Sequence, residues 1–301
     1  MFKTLARMTL LSILALAAAA CNRDSASDGA GGNAGPAQTV QRSVELVRQS
    51  DVAGLIEHML PPEEFARVKT EWNQRKDQAA PTADERAQFE ETMKKLTAEN
   101  AVETLYAEFE PDIRQFDAQY QKQIPSMVDM GNSYLHGLVR QSQSLSNSEK
   151  EQADNVIDAL SKWVKETRFT DPALVKQALT AVSETAKSIN IKTLEEARAL
   201  NYEQAAPKFN TAFAGLKKVF DVYGFSIDQT LSTVKIEVLS STDESASLKV
   251  SYELLGTPLE TTTEMVRIDD RWYGKDTIEK IREQKAEQAA NGAVDAPAVE
   301  D

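Results

Sequence analysis

The chain has 301 residues, 34 Lys and Arg against 47 Asp and Glu, and a formal net charge of −13. This balance excludes nucleic acid as a partner, because nucleic acid attracts basic surfaces, and it disfavours lying flat on anionic lipid. A single cysteine rules out a disulfide within the chain.

Residues 1–20 read as an export signal: Lys3 and Arg7 give a positive front, and Met8 to Ala20 form an apolar run that closes on small residues. The run is short of the ~20 apolar residues that a membrane span needs. Ala18-Ala19-Ala20-Cys21 resembles the lipobox of bacterial lipoproteins, in which the cut falls just before an acylated cysteine. The same alanines also satisfy a plain Ala-x-Ala secretory site, which would leave Cys21 a free thiol without a partner. The lipoprotein resemblance implies lipidation of Cys21 and attachment to a membrane through acyl chains. In that family an aspartate after the cysteine favours the inner membrane; Asn22 stands here, which implies the outer membrane, facing the periplasm. Residues 21–38 carry Ser25, Ser27, Gly29, Gly31, Gly32 and Gly35 and no large apolar side chain. They read as a disordered tether.

Helical signals dominate residues 39–200. Val40, Val44 and Val47 recur at helical spacing, with a break at Ser50-Asp51 before Leu55 and Ile56. Pro61-Pro62 opens a helix carrying Phe65, Val68 and Trp72. Thr82-x-x-Glu85, Ser146-x-x-Glu149 and Thr193-x-x-Glu196 are capping boxes. The stripe Val102, Leu105, Tyr106, Phe109 is expected to end at Pro111. Pro125 opens a helix with Val128, Tyr134, Leu135, Leu138 and Val139, and Asp171-Pro172 opens another. A helix from Pro207 to Tyr223 closes on Gly224.

From there the period becomes two. Val234 to Val238, Ala246 to Leu254 and Thr261 to Ile268 alternate as strands, and Asp269-Asp270 turns into Arg271-Trp272-Tyr273. Gly256-Thr257-Pro258 reads as a break. A three- to four-stranded antiparallel meander needs a helix on one face, and the amphipathic segment Lys208 to Val222 is the expected cover. A last helix, Thr277 to Ala289, leads into an acidic tail at 285–301. The fold class is therefore α+β: about seven to nine helices, the meander and a C-terminal helix, with residues 201–284 as the second region.

The turn and Trp-Tyr at 269–273 resemble those of small bacterial lipoproteins, some with the α+β fold of the nuclear transport factor and ketosteroid isomerase superfamily. That resemblance covers about residues 193–283 and carries over no functional residue.

Reactive groups do not assemble in the sequence. His58 and His136 stand in separate helices without metal-ligand spacing, and no Gly-x-Ser-x-Gly or phosphate-binding glycine loop occurs. Glu63-Glu64, Glu90-Glu91 and Glu195-Glu196 are read as helix-start acids that complement the dipole. No catalytic residue, metal or cofactor is expected. Trp72, Trp163 and Trp272 are read as core. Tyr252 and Trp272 are candidate liners of a cavity in the C-terminal part. The expected function is that of a lipid-anchored, non-catalytic binding or scaffolding module for another envelope protein. The alternative is a small-ligand carrier or hydrolase using that cavity.

Overall fold

A computed structural model describes residues 34–74, 80–143 and 145–294, with side chains through 287. The export signal, Cys21, most of the tether and the end of the tail lie outside the described residues.

Among the described residues, eleven helices precede a four-stranded sheet and a twelfth helix follows it. In chain order they are α1 (Pro36–Arg48), α2 (Val52–Met59), α3 (Pro62–Gln74), α4 (Ala83–Thr97), α5 (Ala101–Tyr120) and α6 (Ile124–Gln141). Then come α7 (Asn147–Glu166), α8 (Pro172–Ile189), α9 (Leu194–Ala199), α10 (Tyr202–Val222) and α11 (Ile227–Ser232). The strands are β1 (Lys235–Ser241), β2 (Ser245–Leu254), β3 (Thr257–Ile268) and β4 (Arg271–Gly274), and α12 spans Lys275–Val294.

All three capping boxes form, with the side chains of Thr82, Ser146 and Thr193 accepting from the backbone N–H of Glu85, Glu149 and Glu196. The break between α1 and α2 is a left-handed Ser50 followed by Asp51, whose carboxylate accepts from Gly54 N–H. Asn210 on α10 reaches the same carboxylate at 2.9 Å and ties α2 down.

Several boundaries differ from the sequence reading. Helix α1 starts at Pro36, inside the stretch read as tether, because proline suits the first turn. Helices α5 and α10 run through Pro111 and Pro207 instead of ending or starting there. In α10 the true start is Asn201, whose side chain caps Gln204 N–H. Glu90 and Glu91 lie in the middle of α4, so they do not serve its N-terminal dipole. The last helix follows a run of Glu, Gln, Lys and Ala at 283–290, all strong helix formers, and continues past the expected end at Ala289 through Asn291 and Gly292 to residue 294.

The sheet order is β1-β2-β3-β4, all antiparallel. Both later hairpins turn through two left-handed residues, Leu255-Gly256 and Asp269-Asp270, the pairing whose twist matches the strands. Pro258 belongs to β3 and faces Glu253. There β3 has β2 alone beside it, since β4 pairs only with 265–268, and proline is tolerated on such a one-sided stretch.

Ala246, Leu248, Val250, Tyr252 and Leu254 on β2 all face the core, joined by Leu259, Met265 and Trp272. Over them lie Val40, Val44 and Val47 of α1 and Ala159 of α7, with Leu231 and Val234 completing the cluster. The main cover on the sheet is therefore α1 and α7; the expected segment 208–222 contributes only the partly buried Phe213 and Phe220 to that core. That segment, within α10, packs chiefly against α8. One core thus draws on both the helical region and the meander. Its helical half comes largely from α1, at the front of the described chain, and from α7.

Two ionic groups are buried. Glu64 is 4 % exposed and pairs with Arg67 at 2.9 Å and Lys285 at 2.6 Å, joining α3 to α12. Burial pushes its carboxyl up, but the hydrogen bonds from Lys285 and Arg67 outweigh this and hold it below its ordinary value. Lys217 on α10 is the other.

Candidate functional site

Helix α7 is a two-sided element. Val156, Ala159, Leu160 and Trp163 join the core over the sheet, and Gln152 donates to the Tyr252 hydroxyl at 3.1 Å. Its opposite face carries α6, for which α7 is the principal neighbour. The order from inside out is sheet, α7, α6, solvent.

The seam between α6 and α7 is polar. Lys165 donates to Asp129 at one end. One turn on, Asn132 donates to Asp158 at 2.9 Å and to the Ser161 hydroxyl at 3.0 Å. A further turn on, His136 lies between two carboxylates, its Nδ1 against Asp154 and its Nε2 3.0 Å from Asp158. Asp154 and Asp158 stand one turn apart on α7, so a single imidazole spans both. With a carboxylate at each nitrogen, both positions act as donors, which is the charged form of the ring. The Asp154 hydrogen bond, then that of Asp158, accordingly raises the His136 pKa. Hydrogen bonds from Asn132 and then His136 lower that of Asp158.

This arrangement holds two helices together and leaves His136 no free nitrogen with which to take a proton from a nucleophile. Among the described residues, no group of three or more His, Cys, Asp and Glu is placed to hold a metal ion.

Val128 and Val139 of α6 are half-buried, but most of its large apolar side chains lie on the outer side. Met127, Met130, Tyr134 and Leu138 are 50 %, 71 %, 67 % and 49 % exposed, and Leu135 beside them is also exposed. Their spacing of three, four and four residues makes one stripe along the helix. A surface helix ordinarily turns such a stripe inward; here the polar residues face the neighbour and the apolar ones face solvent. Scattered exposed apolar residues need no explanation, but a contiguous stripe marks an interaction surface.

The remaining residues singled out in the sequence do not gather here. Tyr252 and Trp272 are 5 % and 8 % exposed and sit in the core under α1 and α7. Two open clefts lie elsewhere. One of about 270 Å³ follows the α6–α7 seam past Asp129, Asn132, Ser161 and Lys162. The other, about 340 Å³, runs between α4 and the end of α8 past Met93, Lys94, Lys187 and Lys192. His58 donates to or accepts from nothing near α6: its Nε2 meets the Thr39 carbonyl at 2.8 Å, and burial lowers its pKa. Trp72 and Trp163 are structural, their indole N–H groups donating to the carbonyls of Leu200 and Tyr223 at 3.0 and 2.8 Å. No helix among the described residues is long and apolar enough to cross a membrane.

No family model, no curated protein and no solved structure matches this chain.

The two histidines predict opposite pH responses. His136 has a raised folded pKa, so its stabilising contribution is complete below the unfolded value of 6.5 and is lost as pH rises through the folded value. For His58 the folded pKa is lowered, so its contribution is complete above 6.5 and is lost as pH falls below it. His136→Gln will remove the decline in thermal midpoint on the alkaline side and leave the acid side intact. An unchanged alkaline slope in that variant would remove His136 from the seam's electrostatics.

Proposed function

We propose that this is an exported, lipid-anchored, non-catalytic protein of the bacterial envelope, held at the periplasmic face of the outer membrane as a scaffold for another protein surface. The anchor reading rests on the signal, on Cys21 as the only cysteine and on the small polar residues that follow it. More than one acyl chain on that sulfur amounts to firm attachment, since each buried methylene contributes about 0.8 kcal/mol. The scaffold reading is carried by one observation, the outward apolar stripe of α6 above a polar seam. A layer built that way is stable in its own right and leaves its apolar face for something else.

The test has two arms. Cys21→Ser is expected to move the protein from the membrane fraction to the soluble one. Met130→Ser combined with Tyr134→Ser is expected to leave it on the membrane but strip it from its crosslinked envelope assembly. Membrane attachment that survives Cys21→Ser defeats the anchor reading. An assembly unchanged by the α6 double variant defeats the scaffold reading.

A further inference from the structure

The outward face of α6 is free of charge in a chain where 27 % of residues are charged. Asp, Glu, Lys, Arg and His are represented on this helix only by Asp129, His136 and Arg140, and the first two are bonded into α7. Around the stripe stand Ser126, Ser133, Gly131, Gly137 and Gln141, none of them charged. Two chains that each carry −13 repel one another. A contact between them has to form where neither presents charge, and this face meets that condition.

The face is also complementary to itself. In an antiparallel pair centred between Tyr134 and Leu135, each Gly131 lies opposite Leu138 of the second copy. A Cβ added at Gly131 would meet nothing within 4 Å, so the helix backbone is open to close approach there, a notch only in the sense of a missing side chain beside the stripe. Symmetry places a bulky leucine over that notch twice, the isologous arrangement of a two-fold dimer. Two such stripes remove on the order of 1,000 Å² from water, the size at which a specific dimer begins.

We infer that the occupant of this surface is a second copy of the chain, paired antiparallel through α6, so that the scaffold is a dimer of modest affinity. This deepens the scaffold reading and rests on it for the biological setting, but not for the contact itself. Because the interface is uncharged and the bodies are acidic, added salt is expected to strengthen the pairing by screening the repulsion.

The experiment uses the full chain in cells, with single cysteines on α6 and a short bis-maleimide. Tyr134→Cys lies at the two-fold axis and is expected to give a homodimer. Met127→Cys is not, because its two copies would be about 22 Å apart along the helix at 1.5 Å per residue. Adding Gly131→Leu to Tyr134→Cys should lower the yield tenfold or more. That change fills the notch while favouring the helix, so the loss cannot be assigned to unfolding. The unaltered chain serves as the control for the anchor: a crosslink there reports a free Cys21 and faults the lipidation reading alone. The dimer is overturned if Tyr134→Cys gives no homodimer, if Met127→Cys crosslinks equally well, or if Gly131→Leu has no effect. Capture of a different protein at position 134, or burial of that thiol in lipid without a crosslink, also overturns it.

Discussion

Gly215→Ala will destabilise the protein by about 2 kcal/mol or more, although alanine is the better helix former by about 1 kcal/mol. Gly215 is buried on α10, where that helix crosses α8. A Cβ there would stand 2.1 Å from the Thr185 hydroxyl oxygen and 2.7 Å from its Cβ. Thr185 cannot swing away, because its own Cβ is part of the overlap and its hydroxyl is bonded to the Ala181 carbonyl at 2.7 Å. One turn and two turns earlier on the same face, Ala181 and Ala178 are also small and buried. The crossing therefore depends on close approach, and one methyl group forces the helices apart. Gly131→Ala and Gly137→Ala are the controls, since nothing lies within 4 Å of either added carbon. Both should stabilise by roughly 0.5–1 kcal/mol. In urea unfolding, the double variant Gly215→Ala, Thr185→Gly should lose at least about 1 kcal/mol less than the two single losses combined. Additive losses would mean that the crossing is not limited by this pair.

That close crossing also explains why the sequence alone points α10 at the wrong partner. Its apolar residues Phe209, Phe213, Leu216 and Phe220 are amphipathic, and the meander that follows needs a cover, so adjacency suggested a match. The signal that opposes it is Gly215, which removes bulk from one face and marks contact with another backbone. The sheet instead takes α1, whose Val40, Val44 and Val47 are 3 %, 0 % and 3 % exposed. Local chemistry was legible throughout: capping boxes, the Ser50-Asp51 break and the alternation of β2 are all properties of neighbours along the chain. Pairings between distant segments were not, because period and propensity do not say which faces meet.

The same limit hid the seam under α6. Val128, Tyr134, Leu135, Leu138 and Val139 read as one stripe, yet Tyr134 and Leu138 face solvent while Val128 and Val139 are half-buried. A helix with apolar residues on two sides has no single inward face to read. The deciding residues are the polar ones, Asn132 and His136 a turn apart on α6 and Asp154, Asp158 and Ser161 on α7. Their spacings are visible in the sequence, but their meaning depends on the two helices lying side by side. His136, dismissed for want of metal-ligand spacing, is the residue that fixes which side of α6 is in.

Lys217→Met should cost about 2–3 kcal/mol, the loss expected when a charged donor is removed from buried acceptors. The side chain is 7 % exposed and its ammonium donates to the carbonyls of Arg48 at 2.8 Å and Val47 at 3.4 Å. The backbone N–H groups of Gln49, Asp51 and Ser50 already donate to the carbonyls of Glu45, Leu46 and Val47, so it is chiefly the Arg48 carbonyl, at the negative end of the α1 dipole, that takes its hydrogen bond from this ammonium. A single cation thus satisfies the last carbonyl of a helix that covers the sheet, and ties it to α10. Asp228 lies beside the ammonium at 2.5 Å, and its side chain is 48 % exposed, so solvent screens the pair. Asp228→Asn should therefore cost less than about 1 kcal/mol. Methionine keeps the length of lysine and most of its apolar stem, which isolates the lost charge and hydrogen bonds from lost packing. The measurement is the urea midpoint with an unchanged slope, since a changed slope would report a different unfolded or native state. If Lys217→Met and Asp228→Asn cost the same, the ion pair and not the helix end is what Lys217 stabilises. If the lysine variant costs several times more, the end of α1 depends on a group supplied from residue 217, far along the chain, and the helix end rather than the ion pair is what Lys217 stabilises.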